Sequence, residues 1–375
     1  HFPRDKVCGD AISGKVLSVL KYLDLDILEE FRGQLFTQDT WGIRFVAPNG
    51  QELDIPLRLD PENSLVPAYV AARLDFDHFL VEQVKAAPDL EVMEGFTLRH
   101  LDTHEDGFLL SDGSNSFTAR LVIGADGANS VVTRKLAQHK VAPKHHSAGV
   151  RLYCRPVEGF HPQRYLELHY LPELLPGYFW IFPLPDGRVN VGLGMLTKDL
   201  QKQPQNLRSR LLELLATHPR LADRFAKAEA EGPVQGFGLP LGSLRRNISG
   251  KGWMLVGDAA GLIDPFTGEG IGNAMISGRL AAQFASAKLR DGQDLKGYDH
   301  AVFKKLGAEL KLSHQLQKLA RYPRLFNAVT RKVNRNESLR TLFTMMFEDL
   351  ELRRQLSRPS FYGKLFFGDA LKKNP

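Results

Sequence analysis

The feature that most constrains the fold is the segment 253–281, which reads WMLVGDAAGLIDPFTGEGIGNAMISGRLA. Its apolar beginning predicts a buried strand, which passes through a glycine-rich turn into a pattern typical of an amphipathic helix. Asp258 follows the strand directly, at the edge where open α/β sheets bind ligands, and its carboxylate can accept hydrogen bonds from sugar-alcohol hydroxyls. The segment therefore predicts an α/β protein with a ligand site beside this strand.

The second half of the segment adds a surface for a flat ligand. Gly268 and Gly270 stand at the start of a helix predicted from Gly268 to about Leu289. Small residues let a ring approach the backbone, and the free amides of the first helical turn favour negative charge on the ligand. The spacing of GDAAG, Asp-Pro and GEGIGNA favours a ligand site over a plain glycine turn.

Two further motifs support a nucleotide-binding sheet. LVIGADGANS, at 121–130, places Asp126 and Gly127 after another apolar strand, a pattern that alone indicates only a turn. Together with the later GDAAG, it suggests two strands of one sheet. Arg73 begins the predicted helix of ARLDFDHFL, where its guanidinium can reach a phosphate or a ring edge, although a solvated arginine at a helix end is the ordinary alternative.

The remaining pattern predicts α/β segments interleaved with a mostly antiparallel sheet. Helices are predicted over Ser13–Leu28, Arg73–Ala87, Asn206–Ala230 and most of the chain after Leu295. Strands are predicted over Gln34–Leu59 with a hairpin at Asn49-Gly50, and over Leu90–Val92, Phe96–His104, Gly107–Ser111, Phe117–Ile123, Val150–Thr197 and Val234–Leu244.

Composition excludes several classes of protein. With 43% hydrophobic and 25% charged residues, the chain is expected to be folded, and no run of eighteen apolar residues predicts a membrane-spanning helix. The two cysteines, Cys8 and Cys154, lack the spacing of a zinc site, so we expect no metal and a reducing, cytoplasmic location. The formal net charge of +6 favours an anionic partner without identifying one.

These motifs resemble the geranylgeranyl reductase family of FAD-dependent oxidoreductases, within the group typified by para-hydroxybenzoate hydroxylase. The resemblance covers positions 1 to about 290 and rests on FPRDKVCGD, ARLDFDHFL, LVIGADGANS, GYFWIFP and VGDAAGLIDPFTGEGIGNAMISG. It implies a doubly wound FAD-binding domain of residues 1–33, 61–142 and 245–292. It further implies an antiparallel-sheet substrate domain of 34–60 and 143–244, and a helical C-terminal region of 293–375.

The resemblance also implies roles for individual residues. Asp258 would hold the ribityl chain of FAD, and the stretch from Pro265 to Ile271 would lie beside the isoalloxazine. The other positions implied to bind FAD are Gly9, Asp10, Arg73, Asp126, Gly127, Gly257, Gly268 and Gly270.

Two groups of residues are candidates for substrate chemistry. Cys8 would lie beside the flavin, where it could donate a proton to an alkene or tune the flavin; the alternative is a small buried hydrophobic residue. Tyr178, Trp180 and Phe182 share one face of a predicted strand, which suits an isoprenoid, although a plain strand core is the more usual meaning.

The predicted function is reduction of C=C bonds in a geranylgeranyl-type prenyl chain by hydride transfer from flavin N5, with NAD(P)H or another reductant as electron donor. One alternative is a flavin-dependent monooxygenase or halogenase acting on an aromatic substrate; GYFWIFP approximates the WxWxIP signature of halogenases without satisfying it. A catalytically inactive lipid-binding module is a third possibility.

The sequence departs from the family pattern at two places and contains one strongly basic stretch. The family's initial strand and GxGxxG turn do not appear from His1 onward: a polypeptide that truly lacks them is expected to hold FAD poorly, whereas one that has them before His1 is expected to function normally. The basic residue that often follows the Asp-Gly turn in hydroxylases is displaced here, with Thr133 preceding Arg134, which weakens any inference about NADPH handling. Residues 303–341 contain ten basic and two acidic residues. This excess favours peripheral contact with an anionic membrane surface over a merely solvated helix face, and without a binding motif it disfavours nucleic acid.

Overall fold

The computed structural model describes residues 1–58, 60, 62–202 and 206–348, and it confirms a mixed α/β fold. The helices are α1 (Gly14–Leu23), α2 (Leu25–Arg32), α3 (Arg73–Lys85), α4 (Thr197–Leu200), α5 (Leu207–Thr217), α6 (Ala222–Phe225), α7 (Ile271–Asp291), α8 (Gly297–Leu319), α9 (Pro323–Asn334) and α10 (Glu337–Glu348). The strands are β1 (Ala11–Ile12), β2 (Gln38–Thr40), β3 (Gly42–Val46), β4 (Glu52–Pro56), β5 (Ala68–Val70), β6 (His100–His104), β7 (Gly107–Ser111), β8 (Ser116–Ala119), β9 (Val122–Gly124), β10 (His146–Arg155), β11 (Leu166–His169), β12 (Tyr178–Pro183), β13 (Val189–Leu196), β14 (Glu229–Pro240), β15 (Ser249–Gly250) and β16 (Trp253–Leu255).

The largest sheet has seven strands in the order β14-β10-β13-β12-β11-β3-β4. Every neighbouring pair is antiparallel except β11 and β3, which are parallel. Along β12, Phe179 and Ile181 point into the apolar core shared with α5, while Trp180 and Phe182 point to the opposite face. Because side chains alternate between the two faces of a strand, the face that carries Trp180 and Phe182 does not pack on the α5 core.

The strands that lead into the Asp126-Gly127 and Gly257-Asp258 turns are parallel neighbours. β9 and β16 pair with Trp253 opposite Val122 and Leu255 opposite Gly124. Because parallel strands end at the same edge, the Asp126-Gly127 and Gly257-Asp258 turns both leave the sheet at that edge. Helix α7 packs on β16 through Ile276, which lies in the same core cluster as Leu255.

Several predicted element boundaries are wrong. The helix predicted over Ser13–Leu28 is broken at Asp24, whose side chain accepts a hydrogen bond from the backbone N–H of Asp26 (2.8 Å) and so caps α2. Residues 90–92 form no strand. Leu90 is 58% exposed, so its apolar side chain is not buried against a neighbouring element. The predicted strand 96–104 begins only at His100.

Two longer predicted elements divide in the structure. The run 117–123 separates into β8 and β9, which belong to different sheets. The helix predicted over 206–230 ends at Thr217, because Pro219 disfavours helical backbone at the residue before it, and the chain resumes as short α6 and then β14. Helix α7 begins at Ile271, with Gly270 as its N-cap, three residues later than predicted.

The C-terminal helices pack against two sheets, the one that contains β16 and the seven-stranded sheet. Leu306 and Leu310 of α8 join the core beneath β16, and Val333 of α9 packs on Leu53 and Ile55 of β4. The predicted helical region 293–375 is seen as far as residue 348, and 349–375 lie outside the described residues. None of the helices in the described ranges is long and apolar enough to cross a membrane.

Candidate active site

The candidate site is an apolar cavity of about 920 Å³ between the N-terminal loop, the open face of the seven-stranded sheet, and helices α7, α8 and α9. Most of the residues predicted from the sequence line it: Cys8, Gly9, Arg73, Tyr178, Trp180, Phe182, Asp258, Gly268, Gly270 and Ile271. The remaining predicted residues do not line the cavity: Asp10, Asp126, Gly127, Gly257 and Pro265.

The loop that carries Cys8 is held in place by Asn190 of β13. The Asn190 side-chain amide donates to the Cys8 carbonyl oxygen (2.8 Å) and to Asp10 Oδ2 (2.7 Å). Its own oxygen accepts a hydrogen bond from Trp180 Nε1 (2.8 Å). One side chain therefore connects the candidate proton donor with the aromatic face of β12.

Asp10 is completely buried directly behind this loop. Its carboxylate accepts a hydrogen bond from the Tyr153 hydroxyl at 2.6 Å, in addition to the bond from Asn190. Burial raises the pKa of Asp10 to about 6, although the bonds from Tyr153 and Asn190 and the charge of Arg151 act in the opposite direction. Asp10 thus supports the loop, and its protonation state changes near neutral pH.

Arg73 begins α3 and presents its guanidinium to the cavity wall. Asp77, one turn later, accepts two hydrogen bonds from Arg73, at 2.6 Å from Nε and 2.7 Å from Nη2. Burial acts to lower the pKa of Arg73, but its interactions with the Cys8 side chain and the Asp77 carboxylate outweigh burial and raise the pKa. A fixed positive charge therefore lies beside Cys8.

The glycine-rich stretch before α7 forms a second wall. Gly268 adopts a φ of +75°, and a Cβ atom there would lie 2.8 Å from the Tyr178 hydroxyl oxygen. Asp258 reaches the cavity from the end of β16, with Lys6 Nζ at 3.1 Å from its Oδ2. The carbonyl of Pro265 accepts a hydrogen bond from Gln317 of α8 (2.6 Å), which fixes the loop to the C-terminal helices.

The predicted residues outside the lining make local contacts. Asp126 accepts hydrogen bonds from the backbone N–H groups of Val131 (2.6 Å) and Val132 (3.3 Å), so it stabilises the turn after β9. Gly257, with φ of +55°, allows α7 to approach, since a Cβ there would lie 2.8 Å from that of Ala274. Cofactor-binding roles for Asp126, Gly127 and Gly257 stay predictions.

The sequence patterns did not indicate a buried ionic cluster at one side of the cavity. Lys15 of α1 lies 3.0 Å from Glu309 of α8 and 3.3 Å from Glu269, and donates to Asn273 Oδ1 of α7 (3.0 Å). Burial acts to lower the pKa of Lys15, but the neighbouring carboxylates raise it overall. The sequence signal for this cluster is a lysine on the apolar face of a predicted helix. Asn190, a polar residue within an apolar strand, is a signal of the same kind for the contacts of the Cys8 loop.

No family model matches the chain. The chain is 30% identical over 339 residues to menaquinone reductase of Mycobacterium tuberculosis strain H37Rv, covering 86% of this chain and 77% of that protein. It is 31% identical over 288 residues to digeranylgeranylglycerophospholipid reductase 1 of Methanopyrus kandleri, covering 75% and 70%.

Two solved structures share the fold. A geranylgeranyl bacteriochlorophyll reductase-like protein from Thermoplasma acidophilum aligns with a TM-score of 0.73 at 22% identity, covering 95% of this chain and 91% of that one. A flavin-dependent brominase aligns with a TM-score of 0.71 at 20% identity, covering 95% and 90%. At such identities these structures show the fold, whereas the sequence relatives show the family. The chain belongs to the geranylgeranyl reductase-like family of FAD-dependent oxidoreductases.

Proposed function

We propose that this protein uses FAD to saturate C=C bonds in the prenyl chain of a lipid. The observation that carries the proposal is the mixed lining of the cavity. Cys8, Arg73, Asp258 and a glycine-rich wall share this lining with aliphatic and aromatic side chains of the sheet, α8 and α9. Relatives named menaquinone reductase and digeranylgeranylglycerophospholipid reductase support a lipid substrate.

The polar and glycine-rich part of the lining fits FAD. Asp258 would accept hydrogen bonds from the ribityl hydroxyls, and the amides at the start of α7 would face the electron-rich edge of the ring. Gly9 and Gly268 let these two segments pack closely on β12, since a Cβ at Gly9 would lie 2.9 Å from the Phe182 ring and one at Gly268 would lie 2.8 Å from the Tyr178 hydroxyl. When bound, FAD supplies the hydride, and NAD(P)H or another reductant supplies the electrons.

The second half of the reaction needs a proton, and we assign it to Cys8. Saturation of an alkene adds a hydride to one carbon and a proton to the other. The Cys8 thiol, which lies beside Arg73, would donate that proton and be reprotonated from solvent. Cys154, by contrast, is buried in β10, where burial raises the pKa of its thiol to about 12.

The apolar part of the lining would bind the prenyl chain. Tyr178, Trp180 and Phe182 project from β12 into the cavity, and Leu312 and Leu316 of α8 line it from the other side. These side chains offer an isoprenoid contact along its length and exclude water from the reacting alkene.

The turn between α8 and α9 offers a route from a bilayer. Leu319 lines the cavity and is 40% exposed, and Tyr322 beside it is 62% exposed. Three exposed basic residues, Lys318, Arg321 and Arg324, surround these apolar side chains. We propose that this turn contacts anionic headgroups and takes the lipid chain directly from the membrane.

Product analysis tests the proposal. The FAD-loaded, reduced protein should convert a geranylgeranyl lipid, without oxygen, into products heavier by two hydrogen atoms for each saturated bond. A monooxygenase or halogenase would give no product under these conditions, and would give an oxygenated or halogenated one only in air. That result would overturn the reductase assignment.

A further inference from the structure

Arg58, in the loop after β4, lines the cavity without an acidic partner among the described residues. The other basic side chains of the lining form ion pairs with carboxylates at distances of 2.6 to 3.1 Å: Lys6 with Asp258, Lys15 with Glu309, and Arg73 with Asp77. The half-buried guanidinium of Arg58 instead makes a long hydrogen bond, from Nη1 to the backbone oxygen of Leu57 (3.4 Å).

Three acidic residues close to Arg58 along the chain are bound elsewhere. Glu52 and Asp54 of β4 both pair with Arg44, at 3.0 and 2.7 Å. Asp60 accepts hydrogen bonds from the backbone and the side chain of the residue three positions later, at 3.3 and 2.8 Å. A guanidinium that lines an apolar cavity without a counter-charge costs free energy unless an anion binds it. The charge of Arg58 therefore indicates an anionic group on the ligand of this cavity.

An apolar row of the seven-stranded sheet connects the strand before Arg58 with the Cys8 loop. The row consists of directly paired residues of β12, β11, β3 and β4, all of which line the cavity: Trp180, Leu168, Phe45 and Leu53. It is about 14 Å long, because neighbouring strands lie about 4.8 Å apart. At one end, Trp180 is hydrogen-bonded to Asn190, which holds the Cys8 loop. At the other end, the chain continues from Leu53 through β4 to Arg58.

We propose that Arg58 binds the phosphate group of a prenyl lipid whose chain lies across this row. The inference rests on the proposed function and narrows its substrate to an anionic lipid. A guanidinium can bind two phosphate oxygens at once, and it stays charged throughout the physiological pH range. With the phosphate at Arg58, the far part of the chain would lie beside the Cys8 loop. The length of the row would then determine which double bond is reduced.

Equilibrium binding to the oxidised, FAD-loaded protein tests the inference without turnover. Calorimetric titrations compare geranylgeranyl phosphate with geranylgeraniol, which has the same prenyl chain and no phosphate. We expect Arg58→Gln to weaken binding of geranylgeranyl phosphate about ten- to a hundredfold, as loss of a hydrogen bond to a charged group does, and to leave binding of geranylgeraniol nearly unchanged. Arg58→Lys should weaken it less, because the charge remains, and this variant keeps the test decisive if Arg58→Gln fails to fold.

Arg208→Gln is the matched control, since Arg208 is exposed on α5, which packs on the other face of the sheet. It should leave the affinity for both probes unchanged. Unchanged binding of geranylgeranyl phosphate in Arg58→Gln, or equal weakening for the two probes, would overturn the inference. Inorganic phosphate that binds as tightly as geranylgeranyl phosphate would also overturn it, because the site would then take free phosphate and not a lipid headgroup.

The headgroup site and the proposed function can fail separately. If geranylgeranyl phosphate binds through Arg58 but is never reduced, the headgroup site stands and the reductase proposal falls. If prenyl lipids are reduced and Arg58→Gln binds geranylgeranyl phosphate normally, the reductase proposal stands and the headgroup site falls.

Discussion

Cys8 and Arg73 lie beside each other in the cavity lining, and the proposed proton transfer depends on Cys8. We predict that Cys8→Ser binds FAD and accepts electrons normally but transfers reducing equivalents to a prenyl alkene 100- to 10,000-fold more slowly, a range typical of general acid catalysis. Rapid-mixing absorbance of the flavin measures both half-reactions separately. Cys154→Ser is the matched control, and an unchanged rate in Cys8→Ser would make Cys8 a structural residue.

Asp10 gives a prediction about pH. Because burial raises its pKa from 3.8 to about 6, the folded protein holds the proton more tightly than the unfolded chain. The contribution of Asp10 to stability is therefore most favourable below pH 3.8 and falls as the pH rises through 6, by about 3 kcal/mol in all.

The variant Asp10→Asn should remove this dependence. Between pH 4 and pH 7, the stability of the unmodified protein should fall relative to the variant, measured by urea unfolding at each pH. Parallel pH profiles for the two proteins would show that Asp10 keeps an ordinary pKa.

Individual residues of the site were predictable where they stand in local motifs. Cys8, Arg73, Asp258 and Gly268 come from contiguous patterns, and the structure brings them to one cavity. Asn190 was not predictable, because its partners Cys8 and Asp10 are about 180 residues away in sequence and only the folded sheet brings them together. Long-range pairing of polar groups leaves no periodic signal.

Strand β12 shows the same principle for an element. The predicted alternation of its side chains between two faces is confirmed, since Trp180 lines the cavity and Phe179 is completely buried on the other face. We predict that Trp180→Ala raises KM for a long prenyl substrate while leaving flavin content and reduction by the donor nearly normal. Phe179→Ala is the contrasting variant and should cost about 3 to 5 kcal/mol of unfolding free energy.

Steady-state kinetics with short and long prenyl substrates, together with thermal unfolding, check this pair of variants. If Trp180→Ala instead unfolds or loses flavin, the side chain belongs to the core, and the substrate-binding interpretation is wrong.

Helices and strands were predicted best where a clear hydrophobic periodicity coincides with residues that mark where the element begins or ends. Helix α3 and the hairpin of β3 and β4 match the prediction closely. The helix over Ser13–Leu28 was predicted as one because its apolar spacing continues across Asp24, where the capping geometry breaks it. The strand predicted over Leu90–Val92 is wrong, because apolar residues that are exposed in a loop resemble a short strand in the sequence.

At the scale of the whole molecule, the C-terminal helices complete the cavity. The family resemblance ended near residue 290, yet Leu312, Leu316 and Phe326 from α8 and α9 line the proposed substrate site. The mixed α/β architecture was predictable from the sequence, whereas this contribution was not, because helical periodicity does not specify what a helix packs against. The domain boundaries stay a prediction.

The exposed turn between α8 and α9 predicts membrane association. The protein should co-sediment with vesicles that contain phosphatidylglycerol, and added salt should weaken binding because the Debye length falls to about 3 Å at 1 M. Tyr322→Ser combined with Arg324→Ser should reduce binding at least fivefold. Arg155→Ser, exposed on β10, is the control, and equal binding to neutral vesicles would contradict the electrostatic part of this prediction.

The central claim is that reduced flavin in this protein passes its hydride to an alkene and not to oxygen. The most direct measurement is the absorbance of the reduced, FAD-loaded protein after anaerobic mixing with a geranylgeranyl lipid. We predict that the oxidised flavin spectrum returns with a rate that depends on the lipid concentration, and that the lipid gains two hydrogen atoms for each flavin oxidised. A flavin that stays reduced until oxygen is admitted, with each prenyl lipid tried, would contradict the account.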